Sequence, residues 1–94
     1  MFKVNEYFNG KVKSMAFKNS EGAVTAGIMA PGEYEFGTSS IEYMTVVSGQ
    51  LVVQLPGETE WKTVKEGDAF EVPANSVFKL KVPALADYCC SYIS

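Results

Sequence analysis

The stretch GEYEFGTSSIEYMTVVSG at residues 32–49, together with GDAFEVPANSVFKLKV at residues 67–82, decides how this chain folds. Each opens on a glycine, runs through alternating apolar and polar residues, and breaks at small or turn-forming residues. In the second stretch Phe78, Leu80 and Val82 share one face while Lys79 and Lys81 share the other. That two-residue period belongs to a half-buried β-strand. The same pattern repeats outward along the chain. Strands are expected at residues 11–18, 24–29, 32–36, 43–47, 51–55, 62–64, 69–72, 77–82 and 88–93. Turn signals separate them at residues 19–22, Pro31-Gly32, Ser48-Gly49, Pro56-Gly57, Gly67-Asp68 and Pro73-Ala74-Asn75. No segment sustains the spacing of an amphipathic helix, and only residues 1–10 leave room for a single helical turn. So many short strands in so small a chain imply a sandwich or a barrel, because closing a sheet removes its exposed edges.

Composition narrows the possibilities. The 94 residues make one domain, without linkers, repeats or low-complexity tracts. A chain this short buries about two-thirds of its unfolded surface, so a homodimer is expected to add stability. A net charge of -3 gives no long-range pull toward nucleic acid. All eight basic residues are lysines, so the forked grip of arginine on phosphate is missing. Cys89 and Cys90 are adjacent, which suits neither a disulfide framework nor a metal site, and two free thiols fit a reducing cytoplasm. No apolar run approaches membrane-spanning length. The sequence reads as that of a cytoplasmic protein.

The two glycine-anchored stretches also resemble the paired motifs of a cupin. The first cupin motif runs glycine, five residues, His-x-His, a short spacer, glutamate, six residues, glycine. Gly32, Glu42 and Gly49 match it, while Thr38 and Ser40 fall at the histidine positions. In the second motif Gly67 and Pro73 match, Asn75 stands for a glycine in a left-handed turn, and Phe78 takes the place of the third histidine. The resemblance implies an all-β, single-domain, RmlC-like jelly-roll barrel over residues 1–94. The chain contains no histidine at all. One glutamate with hydroxyl neighbours cannot form a tight transition-metal site, so no metal is expected.

Further markers make the resemblance narrower: Asn5-Glu6-Tyr7-Phe8, Gly10 to Ser14, residues 31–36, Met44-Thr45-Val46 with Ser48-Gly49, and the closing Tyr88 and Tyr92. With these the chain resembles the small cupins of the pyrimidine/purine nucleoside phosphorylase family. The resemblance implies phosphorolysis of purine and pyrimidine nucleosides to free base and ribose 1-phosphate. Phosphate would be the co-substrate and no cofactor would be needed. Strand parity then puts Thr38, Ser40, Glu42, Met44 and Val46 on one inward face. Glu42 is the catalytic candidate, because a carboxylate can favour a cationic sugar or bind its hydroxyls. Thr38 and Ser40 are candidate phosphate donors. Phe78, Tyr43, Tyr88 and Tyr92, with Met44, are candidates for the base and sugar, since any base can stack on an aromatic ring. Two other readings stay open: a non-catalytic cupin that binds a sugar or nucleoside, and a sugar isomerase or epimerase using Glu42 and a tyrosine.

Overall fold

A computed structural model describes residues 3–7, 10–19 and 22–93, with side chains described for residues 10–16 and 23–93. Among the described residues ten strands follow one another: β1 (Lys3–Tyr7), β2 (Val12–Asn19), β3 (Gly22–Met29), β4 (Gly32–Gly37), β5 (Ile41–Ser48), β6 (Gln50–Gln54), β7 (Lys62–Lys65), β8 (Ala69–Val72), β9 (Val77–Val82) and β10 (Ala86–Ile93). They form a six-stranded sheet in the order β1-β2-β3-β10-β5-β8 and a four-stranded sheet in the order β4-β9-β6-β7. The strand pairs are antiparallel, and the two sheets face each other as a jelly-roll barrel.

Alternation decides which residues enter the barrel. In β9 Phe78, Leu80 and Val82 are buried while Val77, Lys79 and Lys81 are exposed. In β5 Met44 and Val46 point inward and Tyr43 and Val47 outward. The core interdigitates the two inner faces: Val12, Met29, Val46 and Val72 from one sheet meet Leu51, Val53, Phe78 and Leu80 from the other. Burying each such side chain contributes about 1.5–3 kcal/mol. Phe78 anchors an aromatic group, with Phe36 at 5.8 Å and Phe70 at 6.2 Å between ring centroids.

The turns use the expected residues. Asn75 adopts a left-handed conformation (φ 55°), as its place in the second motif predicts. Gly49 (φ 81°) closes the β5–β6 connection, where a Cβ would come within 2.8 Å of the Leu85 carbonyl oxygen. On the outer face of the smaller sheet the Lys81 ammonium lies 4.3 Å from the Trp61 ring centroid, an attraction that fixes this edge residue.

The N-terminal segment differs from expectation. Residues 3–7 form a strand, not a helical turn, because they pair in register with β2 from Lys3↔Ala16 to Tyr7↔Val12. Phe8 lies outside the described residues, as do Ser20 and Glu21 of the turn expected at residues 19–22.

The site depends most on the position of β10. This C-terminal strand runs between β3 and β5, in the interior of the larger sheet. Its inward residues Tyr88, Cys90 and Tyr92 therefore sit between the inward residues of two neighbours. A register shift between Asp87 and Tyr88 leaves Val47 bulged outward and 54% exposed.

Candidate active site

A cavity of about 180 Å³ opens between the two sheets. Its apolar lining comes from Met29, Phe36, Met44 and Phe78. Its polar lining comes from the larger sheet: Ser14 on β2, Thr25 on β3, Glu42 on β5, and Tyr88, Cys90 and Tyr92 on β10.

Register builds this polar group. Tyr92 pairs across the strands with Glu42, and Cys90 pairs with Thr25 on one side and Met44 on the other. Thr25 Oγ1 donates to the Tyr92 hydroxyl at 2.8 Å. The Cys90 thiol donates to Glu42 Oε1 at 3.5 Å. The Tyr92 hydroxyl and the Cys90 thiol lie close enough for each to influence the other's ionisation. Tyr88 has space because the residue opposite it is Gly27. A Cβ on Gly27 would come within 2.7 Å of the Tyr88 hydroxyl and 2.6 Å of the Lys13 carbonyl oxygen.

Burial shapes the ionisation of the group. Removal from water raises the Glu42 carboxyl above its usual range, and the Cys90 hydrogen bond partly offsets this by favouring the carboxylate. The Cys90 thiol is held well above its usual value, first by burial and then by the adjacent Glu42 charge. It is a neutral donor, unsuited to nucleophilic work. Tyr92 is pushed up to about 12, chiefly by burial of its hydroxyl end, while its residue as a whole is 36% exposed at the rim.

The expected site residues separate into two groups. Glu42, Met44, Phe78, Tyr88 and Tyr92 line one cavity. Thr38, Ser40 and Tyr43 lie elsewhere. Strand β4 ends at Gly37, so counting alternation back from Glu42 fails at Ser40 and Thr38. Thr38 Oγ1 donates to the Pro73 carbonyl oxygen at 2.7 Å and accepts from the Ser76 backbone N–H at 3.0 Å. Its hydroxyl ties the end of β4 to the β8–β9 turn. Ser40 lies in the bend before β5, outside the lining. Tyr43 is on the outward parity of β5 and 44% exposed.

Sequence reasoning passed over Ser14, Thr25, Phe36 and Cys90 as site residues. The available signal was the parity of β10, which carries Cys90 on the same face as Tyr88 and Tyr92. Among the described residues, no group of three or more His, Cys, Asp or Glu side chains is placed to hold a metal ion.

Fold and site together define a cupin barrel in which the motif glutamate faces hydroxyl and thiol groups. The fold is shared with an RmlC-like cupin from Shewanella frigidimarina, at TM-score 0.73 and 18% identity over 97% of this chain and 82% of that one. Much closer is a crystal structure of a protein of unknown function from Vibrio parahaemolyticus, at TM-score 0.96 and 46% identity over 99% of both chains. The family model for pyrimidine/purine nucleoside phosphorylase matches residues 2–92. A Pseudomonas putida protein named pyrimidine/purine nucleoside phosphorylase is 59% identical over 98% of each chain, and a Pseudomonas fluorescens protein of the same name matches equally well. The chain belongs to the pyrimidine/purine nucleoside phosphorylase family.

Proposed function

We propose that this protein is a pentosyl-transferring nucleoside phosphorylase, splitting purine and pyrimidine nucleosides with phosphate into free base and ribose 1-phosphate. The observation that carries the reading is a half-buried carboxylate, Glu42, facing hydroxyl groups in a small cavity of a family member. Relatives sharing 59% of their residues with this chain bear the name of that activity.

In the reaction a phosphate oxygen bonds to C1′ of the ribose as the bond from C1′ to the base nitrogen breaks. The electron pair of that bond leaves with the base. Positive charge builds on the sugar between these events, and a carboxylate beside it lowers the barrier. Glu42 takes this role or binds the ribose hydroxyls. The hydroxyls of Ser14, Thr25, Tyr88 and Tyr92 line the cavity with Glu42 and are the candidates to meet phosphate and ribose. A cavity of about 180 Å³ is sugar-sized and leaves the base toward the mouth. There Phe36 and the exposed rim of Tyr92 offer rings to the π-face common to all bases. The chemistry needs no metal ion, and the motif positions that carry histidine in other cupins are Thr38, Ser40 and Phe78 here.

A homodimer is part of the proposal. The outer face of β2, β3 and β10 bears a groove of about 510 Å³, with Met15 (39% exposed) and Ile28 (44% exposed) beside Val47 of β5. An apolar face of this kind suits a second copy. We place the protein in the cytoplasm, where Cys89 and Cys90 stay reduced. Nucleic acid and membranes are not proposed partners. The net charge is -3, and no helix of the described residues is long and apolar enough to cross a membrane.

The test is base release from uridine and adenosine with and without phosphate. Release that requires phosphate and survives a chelator is the expected result. No release with phosphate present sinks the enzymatic reading, and nucleoside binding without turnover would point to a non-catalytic cupin.

A further inference from the structure

The thiol beside Glu42 has no part in the reaction described above, yet it is the group that touches the carboxylate. Cys90 is 1% exposed, lies between Thr25 and Met44 in one cross-strand row, and donates to Glu42 Oε1 at 3.5 Å. Behind it stands Tyr92, whose hydroxyl accepts from Thr25 at 2.8 Å and lies beside the thiol. A carboxylate can only accept, so the thiol is the donor to Glu42, while in the adjacent pair Thr25 is the donor to Tyr92. In a low-dielectric cavity each such bond is strengthened and holds its partners in one arrangement.

We propose that Cys90 is a positioning residue for phosphorolysis, its thiol holding the Glu42 carboxylate toward the cavity beside the hydrogen-bonded Thr25–Tyr92 pair. The proposal rests on the phosphorylase reading, because it gives the orientation of Glu42 a catalytic consequence. Cys90 itself does not attack substrate. Cys89, its neighbour in sequence, faces the outer groove and is outside this arrangement.

The surroundings of Glu42 make the thiol's contribution separable. From β10 the titratable groups facing it are Cys90, Tyr92 and Tyr88; β2 and β3 present Ser14 and Thr25. Strand β8 places Val72 opposite it, and β4 and β9 supply Phe36 and Phe78. Among the described residues no lysine and no second carboxylate lines the cavity. Burial favours the neutral acid, and the thiol hydrogen bond favours the carboxylate. Removing the donor therefore raises the pH at which Glu42 becomes ionised.

The experiment uses the full chain, in a preparation whose phosphate-dependent base release is already measured, so failure of the phosphorylase reading is seen first. Cys90→Ala, Cys90→Ser, Thr25→Val and the control Cys89→Ala are compared by pH profiles of kcat/KM and by thermal melting. In Cys90→Ala, kcat/KM should fall about tenfold, the size expected for one hydrogen bond to a charged group. The fall should lie mainly in kcat, with the acid limb moved to higher pH. Cys90→Ser keeps a donor and should return both toward wild type. Thr25→Val should shift the limb in the same direction by less, and Cys89→Ala should leave it in place. Loss of packing alone lowers the melting temperature without moving the acid limb. An unmoved limb in Cys90→Ala with kcat/KM within about twofold of wild type overturns the proposal. If that variant does not fold, an unmoved limb in Thr25→Val does so instead.

Discussion

The two inner walls of the barrel enclose the same interior but are built from different chemistry. The wall from the four-stranded sheet presents Leu51, Val53, Phe78, Leu80 and Val82, all buried and apolar. The wall from β2, β3, β10 and β5 presents Ser14, Thr25, Cys90, Tyr92 and Glu42, with two hydrogen bonds joining neighbouring strands. One wall is a packing surface with a phenylalanine where other cupins have a metal ligand. The other keeps a carboxylate at a cost in stability. The difference separates the residues that hold the barrel shut from those available for chemistry.

Three substitutions press on that division, the largest effect first. Phe78→Ala removes the aromatic anchor of the apolar wall and should destabilise the fold by about 3–5 kcal/mol. Chemical denaturation measures this. A loss well under about 1 kcal/mol would mean that Phe78 is not a packing residue. On the polar wall Glu42→Gln should lower turnover about a hundredfold, the range found when one group that stabilises transition-state charge is removed. Its stability should change in the opposite direction. Burial raises the native Glu42 pKa above its ordinary 4.5, so the unfolded chain ionises first. Stability then declines as pH rises from that ordinary value through the raised native one. The Gln variant should melt higher than wild type near neutrality, and its advantage should vanish in acid. Equal melting temperatures at every pH would show that the carboxylate is not strained by burial. The smallest effect belongs to Thr38→Val, which deletes the tie to Pro73 and Ser76. It should lower stability by about 1 kcal/mol while kcat/KM stays within about twofold. A large fall in kcat/KM would return Thr38 to the active site.

The strands and turns were legible from the sequence because their evidence is local, while the choice of a barrel over a sandwich came from the spacing of the two motifs. Phe78-Lys79-Leu80-Lys81-Val82 alternates within one strand, and Asn75 lies at a turn that its own side chain favours. Glu42 was legible too, as an acid among Ile41, Tyr43, Met44 and Val46. Strand β1 was not, since residues 3–7 become a strand through their pairing with β2, and no alternation of their own announces it. Thr38 and Ser40 were misplaced because alternation was carried across a bend that no apolar residue marks. Cys90 was the hardest to read. Its neighbours Cys89 and Ser91 say nothing of Glu42, which is 48 positions away, and the Thr25–Tyr92 bond spans 67. Only the strand order makes these residues adjacent.

Gly27 gives Tyr88, one of the residues lining the cavity, a floor with no side chain on it. Most cavities are contoured by atoms that selection can lengthen, branch or trim a methyl group at a time. Beneath Tyr88 the limiting surface is bare backbone, and the first carbon added would stand 2.6 Å from the Lys13 carbonyl oxygen. That end of the barrel has no graded series of variants open to it. Evolution can retune the cavity from the Phe36 and Tyr92 side in small steps, whereas at position 27 the smallest step available is already too large.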